Sequence, residues 1–316
     1  MKAFVCDEEL LVSGANLEQS YFADRQDRYV HFGAAGDLAR YYHHLVNVLG
    51  GTGARVTANG SAPGAVAVTS AHLSVEEWSR RLEECTQPWQ PAAAPSSSAD
   101  TWVFPTLQCA PLGIRQDQEA TAALLRAVPD TSTVNFCTAY LNPPPPLVHA
   151  LASAAPRGAV TVLSAHPESH GFRGARGVMA YVSRCYEYLL VRRVLPALRA
   201  ARPSALRVLA YRRANWTYHA KGIWIFPNAH AADTGGAVTV VGSSNFGRRS
   251  SELDLECQMT ILTEDPALCA LLKEEWRWLE ERCPAPLDLS LDRGAAATTS
   301  TLGVVPVLAN LMGRFL

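Results

Sequence analysis

The residues best suited to chemistry in this chain are His219 and Lys221, which sit in the stretch Tyr218-His-Ala-Lys221-Gly-Ile-Trp224. Side chains two apart on a strand project from one face, so the imidazole and the ammonium are predicted to meet. An imidazole titrates near neutral pH and can act as nucleophile or proton donor, while a lysine supplies fixed positive charge to phosphate oxygens. A lone H-x-K reads as an ordinary surface strand. Here it is one half of a repeat. Lys2-x4-Asp7, the small-residue turn Ser13-Gly14-Ala15-Asn16 and Asp27, eleven residues after the Asn, correspond to Lys221, the turn Gly242-Ser243-Ser244-Asn245 and Glu256, again eleven residues after the Asn. The Ser and Asn of such turns add hydrogen-bond donors without bulk, and a carboxylate can orient a histidine and hold its tautomer. The set is one for handling phosphoryl groups, and it needs no metal or other cofactor.

Positioning these residues requires strands and helices in alternation. Lys2 to Val12 reads as two strands joined at Asp7-Glu8-Glu9, and Ala34 to Gly50 carries the apolar spacing of a helix closed by two glycines. Residues 51–98, rich in Gly, Pro, Ala and Ser, read as loop and linker around one short helix, Ser74 to Glu84, with a boundary near 98. Beyond it, strands are expected at Thr101 to Leu107, Thr133 to Ala139, Val160 to Ser164, Arg207 to Tyr211, His219 to Ile225, Ala237 to Val241 and Leu255 to Leu262. Helices are expected at Gln118 to Ala127, Leu147 to Ala154, Val178 to Ala200 and Pro266 to Glu281. Such alternation argues an α/β fold. Leu302 to Leu316 is apolar with one Arg, and either lies on a bilayer surface or docks on the protein's own core; Pro306 is expected to break a helix there.

Composition narrows the function classes. With 28 Lys+Arg against 29 Asp+Glu, no basic excess exists to neutralise a nucleic-acid backbone, so nucleic acid is not an expected partner. Eight scattered cysteines without a C-x-x-C pair argue against zinc and for reduced, mostly buried thiols.

At the repeated motif the sequence resembles the phospholipase D superfamily, whose H-x-K-x4-D, followed by G-S-x-N and a downstream Glu, builds one active site between two similar lobes. Ala15 to Tyr29, Asp100 to Pro105, Ser164 to Gly177 and Tyr211 to Trp224 further resemble its eukaryotic mitochondrial branch of phosphatidyltransferases. The resemblance implies phospholipase D-like lobes, each a mixed β-sheet flanked by helices: a partial first lobe with linker over 1–98, a complete second lobe over 99–290 and an apolar tail over 291–316. It implies transfer of a phosphatidyl group from CDP-diacylglycerol to glycerol 3-phosphate through a phosphohistidine, at the mitochondrial inner-membrane surface. His219, Lys221, Glu256, Lys2 and Asp7 are then the catalytic candidates, with Glu256 supporting the His219 ring. Asn245, Ser243, Asn16 and Asp27 are candidates for binding substrate. Arg212 and Arg213 offer either phosphate ligands or ordinary ion pairs, and the loop with His166, His170, Arg173 and Arg176 either cradles a diphosphate or is simply solvated.

Two departures from the family pattern stand out. The first motif's His is expected one residue upstream of Met1, and Phe226 stands where the second motif has its Asp. Water as acceptor would make the same site a phosphodiesterase, and a site lacking one histidine would leave a lipid-binding lobe.

Overall fold

The computed structural model describes residues 2–50, 54–58, 66–70, 74–87, 98–201, 205–227, 236–284 and 299–316. The Pro/Ala/Ser end of the linker, His72, His230 and the first part of the apolar tail lie outside the described residues.

Two compact units emerge, and they interleave along the chain. The larger comprises Met1–Lys2, Ser13–Tyr29 and Ser98–Leu316, the smaller Ala3–Val12 and Val30–Ser97. The first lobe read as 1–98 is therefore not one contiguous piece. Residues 13–29 join the larger unit because β3 (Arg25–Gln26) pairs with β11 (Thr217–Tyr218) and Arg28 reaches Glu275.

In the smaller unit, β1 (Ala3–Cys6) and β2 (Glu9–Ser13) form an antiparallel hairpin whose sheet continues to β4 (Tyr29–Phe32). Its turn places Asp7 in the left-handed region at φ 51, a conformation Asp tolerates better than most residues. Helix α1 (Gly36–Gly50) buries Ala39, Tyr41, Tyr42, Leu45 and Val48, the 3.6-period stripe seen in the sequence. Helix α2 (Val75–Glu84) is capped by Ser74, whose Oγ accepts from the Glu77 amide at 3.1 Å.

The larger unit is built on a mixed seven-stranded sheet ordered β10-β9-β8-β12-β13-β14-β7. Its strands are β7 (Thr101–Gln108), β8 (Thr133–Thr138), β9 (Ala159–Ala165), β10 (Leu206–Tyr211), β12 (Lys221–Phe226), β13 (Ala237–Gly242) and β14 (Glu256–Thr263). Strands β8, β9 and β10 run parallel, and the remaining pairings are antiparallel. Both faces are covered, which is why these strands read as near-continuous apolar runs. On β12, Ile223 and Ile225 join the core under helices α3 (Gln116–Ala127), α4 (Pro145–Ser153) and α6 (Leu195–Ala201). Trp224 between them joins Trp276 and Leu279 of α8 (Pro266–Glu280) on the other face.

Three local expectations change. The helix expected from Val178 to Ala200 is broken into a 3₁₀ turn (Gly177–Tyr181), α5 (Val182–Leu189), a π-helical turn (Leu190–Val194) and α6. Pro196 in the first turn of α6 has no amide hydrogen to give the ladder, so the wider turn falls before it. His219 lies not within a strand but in the two-residue link between β11 and β12, its amide donating to Gln26 O at 2.8 Å. Pro306 sits inside a continuous helix, Thr299–Met312, instead of ending one; that helix is held by packing against α5.

Candidate active site

His219 and Lys221 do converge, and the residue that joins them is Asp27. His219 Nδ1 lies 2.7 Å from Asp27 Oδ2 and 2.6 Å from Lys221 Nζ, and Lys221 Nζ lies 3.6 Å from the same carboxylate oxygen. All three are buried, Asp27 and Lys221 almost completely. The β3–β11 pairing makes this meeting possible: Arg25 stands opposite Thr217 and Gln26 opposite Tyr218, so the next residues on each chain face one another.

Nδ1 cannot both donate to Asp27 and accept from Lys221. We assign its hydrogen to Asp27, because an ionised carboxylate is the stronger acceptor, and this leaves Nε2 as the ring's acceptor, 3.4 Å from Lys221 Nζ. Burial, reinforced by the Lys221 charge, pushes His219 down to about 4 against the pull of Asp27. Burial likewise lowers Lys221 to about 8, opposed by Asp27 and assisted by the nearby charge of Lys2. Asp27 is pulled up by burial, but Lys221 and His219 outweigh that and hold it below the usual carboxylate range. The site at neutral pH is thus a neutral, nucleophilic imidazole between an anion and a cation.

Close packing fixes this geometry. A Cβ at Gly14 would meet Lys221 Cδ at 2.5 Å and Asp27 Oδ1 at 2.7 Å, so the small-residue turn is small to let the lysine and the carboxylate pass. Ser13 Oγ donates to Arg28 O at 2.7 Å and accepts from the Ala15 amide at 2.9 Å, tying the turn to the Asp27 segment. Tyr21 and Tyr140 stand edge-on to the His219 ring, at 5.1 and 5.5 Å between centroids. Asn16 Nδ2 donates to the Tyr21 hydroxyl at 3.2 Å.

Behind the site Arg28 is anchored. Its Nε and Nη2 donate to the two Glu275 oxygens, each at 2.8 Å, Nη1 donates to Val240 O at 2.9 Å, and the guanidinium stacks 3.9 Å over Trp224. Gly222 is the floor of this channel, since a Cβ there would meet Arg28 Nη1 at 2.2 Å. Burial raises Glu275, but Arg28 and the Trp224 N–H bring it below its ordinary value.

The second repeat's carboxylate does something different from what the motif implied. Glu256 does not touch the His219 ring; it accepts from Ser243 Oγ, in a short hydrogen bond, and from Ser250 Oγ at 3.0 Å. Asp27, from the other half of the repeat, takes the place expected of Glu256. Ser243 is correspondingly occupied, donating to Glu256 and accepting from the Cys257 amide at 3.1 Å. Asn245 is half-buried, and its inaccessible Oδ1 lacks a protein partner. Arg212 pairs with Glu168 at 2.8 Å and Arg213 stacks 3.5 Å over Trp216, both on the loop leading to β11. Asp7 lies in the smaller unit, exposed in its hairpin turn. His170, in the loop expected either to cradle a diphosphate or to be solvated, is buried against Tyr140 at 5.3 Å between ring centroids, and its Nδ1 accepts from the Phe172 amide, leaving Nε2 without a protein partner. Among the described residues, no group of three or more His, Cys, Asp and Glu side chains is placed to hold a metal ion.

The fold is shared with a protein of known structure. It superposes on phosphatidylserine synthase from Haemophilus influenzae with a TM-score of 0.71 at 20% identity, over 100% of this chain and 70% of that one. In sequence the chain is similar to proteins named CDP-diacylglycerol–glycerol-3-phosphate 3-phosphatidyltransferase. It is 28% identical over 303 residues to a probable one from Dictyostelium discoideum (88% of this chain, 51% of the relative) and 28% identical to the mitochondrial one from Homo sapiens (87% and 54%). It is 30% identical to that of Saccharomyces pastorianus (87% and 58%). The chain thus spans about half the length of the curated relatives it matches. No protein-family model matches it.

Proposed function

We propose that this chain carries one half of the active site of a phosphatidyltransferase that moves a phosphatidyl group from CDP-diacylglycerol to glycerol 3-phosphate, releasing CMP. The observation that carries the reading is the buried His219–Asp27–Lys221 cluster, which pairs a neutral nucleophile with a cation able to hold phosphate oxygens. The names of the relatives support the substrates, and the mitochondrial label on several of them supports a mitochondrial location, within which the proposed place is the inner-membrane surface.

In this mechanism the His219 Nε2 lone pair attacks the phosphatidyl phosphorus. An N–P bond forms as the bond from phosphorus to the CMP oxygen breaks, and CMP leaves with the electron pair. Asp27 stabilises the imidazolium that forms, and Lys221 offsets charge on the phosphoryl oxygens. The 1-hydroxyl of glycerol 3-phosphate then attacks phosphorus, its proton passes to a general base, and the N–P bond returns its electrons to Nε2. A second histidine, two positions before Lys2 in the repeat, is the group we assign to protonate CMP and then accept that proton.

The test is incubation with CDP-diacylglycerol labelled in the phosphatidyl phosphorus. Acid-labile, base-stable label should accumulate on the protein, be absent from His219→Asn, and be discharged by glycerol 3-phosphate. Label that persists in His219→Asn removes His219 as the nucleophile, and discharge that is equally fast without glycerol 3-phosphate makes the enzyme a hydrolase.

A further inference from the structure

The C-terminal helix Thr299–Met312 is apolar on two sides, and only one is used inside the protein. Val305, Leu308, Ala309 and Met312 pack with Leu316 against Val182, Cys185 and Leu189 of α5. The other side leaves Val304, Val307, Leu311 and Phe315 exposed by 41, 55, 71 and 62%. Spacings of three and four residues keep Val304, Val307 and Leu311 in one stripe along the helix, and Phe315 lies in the turn just beyond its end. Val178 and Met179, in the turn that enters α5, are exposed by 58 and 44%. A row of exposed apolar side chains of this length is not needed by the fold.

The charge around the stripe is one-sided. Residues 172–201 and 299–316 together hold seven arginines and a single acid, Glu187, a net of +6 in a chain whose net charge is −1. All seven arginines are exposed. The neighbouring acids are Glu252 of α7 (Arg248–Glu252), engaged by Arg248 and Arg314, and Asp254, engaged by Arg249. Apolar side chains fringed by arginine match the boundary between acyl chains and anionic headgroups, where guanidinium groups reach phosphates and apolar groups leave water. A second copy of the same face would meet it with like charge. Among the described residues no helix is long and apolar enough to cross a membrane, so insertion would be shallow.

We propose that the α5–C-terminal helix pair is the surface by which this chain docks on an anionic lipid bilayer, with Val304, Val307, Leu311 and Phe315 entering the headgroup–acyl boundary. The surface is one helix away from the catalytic cluster. Tyr186 of α5 lies 5.2 Å from Tyr140 between ring centroids, and Tyr140 contacts the His219 ring. The inference adds a lipid surface to the proposed phosphatidyl transfer, but its test involves no turnover, so either can fail alone.

The test is flotation of the whole chain with vesicles of phosphatidylcholine alone and of phosphatidylcholine mixed with phosphatidylserine, neither containing CDP-diacylglycerol. The chain should float with the anionic vesicles, and less as salt is raised. The double substitution Val307→Asp and Leu311→Asp should lower the bound fraction about tenfold or more at an unchanged thermal midpoint, and Arg176→Gln with Arg184→Gln should weaken preference for the anionic vesicles by a similar factor. Leu311→Trp, which keeps the stripe apolar, should gain a fluorescence component quenched by brominated acyl chains. Failure of the chain to float with either vesicle, or an unquenched Leu311→Trp, overturns the proposal. So does a dimer in solution that the aspartate substitutions dissociate, which would give the stripe to a second copy.

Discussion

Replacing Asp27 by Asn removes a charge from the centre of the site at almost constant volume. At 3.6 Å from Lys221 Nζ, the carboxylate is worth about 5 kcal/mol to the ammonium at an effective dielectric constant of about 20. Without it, the largest pull against burial and the Lys2 charge is gone, and Lys221 falls further below its ordinary value. The lysine then sheds its proton more readily, which limits the cost, and we expect Asp27→Asn to lose about 3 kcal/mol at pH 7, at the lower end of what breaking a buried pair costs. The pH dependence is more specific than the loss. A lysine lowered from 10.5 to about 8 on folding keeps its proton longer in the unfolded chain, so the wild type gains stability only as pH rises from about 8 towards 10.5. In Asp27→Asn that gain begins lower. Between about pH 7 and 8 the variant should climb relative to the wild type by about 1 kcal/mol, close to one proton's worth per pH unit. Urea unfolding at several pH values reads both quantities. Equal slopes for the two proteins, or a loss below about 1 kcal/mol, would refute Asp27 as the counter-charge of Lys221.

Acid should weaken the fold through His219. Its pKa is depressed on folding from 6.5 to about 4, so the unfolded chain binds the extra proton, and stability of about 3 kcal/mol is lost as pH falls from 6.5 through 4; His219→Gln should flatten that part of the urea-midpoint profile. Removing one partner of the Arg28–Glu275 pair, in which Arg28 is buried and Glu275 half-buried, as in Arg28→Met, should cost about 2 kcal/mol, less than a fully buried pair, and pairing it with Glu275→Leu should recover much of this in a double-mutant cycle. Gly222→Ala should destabilise strongly, because its Cβ would displace the Arg28 guanidinium from Val240 O, and circular dichroism melting against Arg28→Met and the double variant would show the two losses to be non-additive. Phe136→Ala, in the core between β8 and the covering helices, should lose about 3–5 kcal/mol in urea unfolding with no effect on the pH profile of the site.

Much of the larger unit was legible because its signals are local. Runs such as Lys221-Gly-Ile-Trp-Ile-Phe226 mark strands buried on both faces, and α8 shows its 3.6 period and its Asp265 cap, whose carboxylate accepts from the Ala267 and Leu268 amides. The break between α5 and α6 was missed although Pro196 was visible. An apolar stripe continues through a π-helical turn, so the period alone does not reveal it.

The sequence by itself determined which groups are candidates for chemistry: the H-x-K spacing, the two small-residue turns, and a carboxylate eleven residues beyond each Asn. It could not decide which carboxylate serves which histidine, because the two halves of the repeat are equivalent along the chain. Tertiary structure broke that symmetry. Two residues of parallel pairing, Arg25 with Thr217 and Gln26 with Tyr218, carry Asp27 to a ring 192 residues away and leave Glu256 to bond its own turn. The same kind of contact placed Tyr21, Tyr140 and Glu275, which have no pattern of their own and became visible only when distant segments were packed into one core.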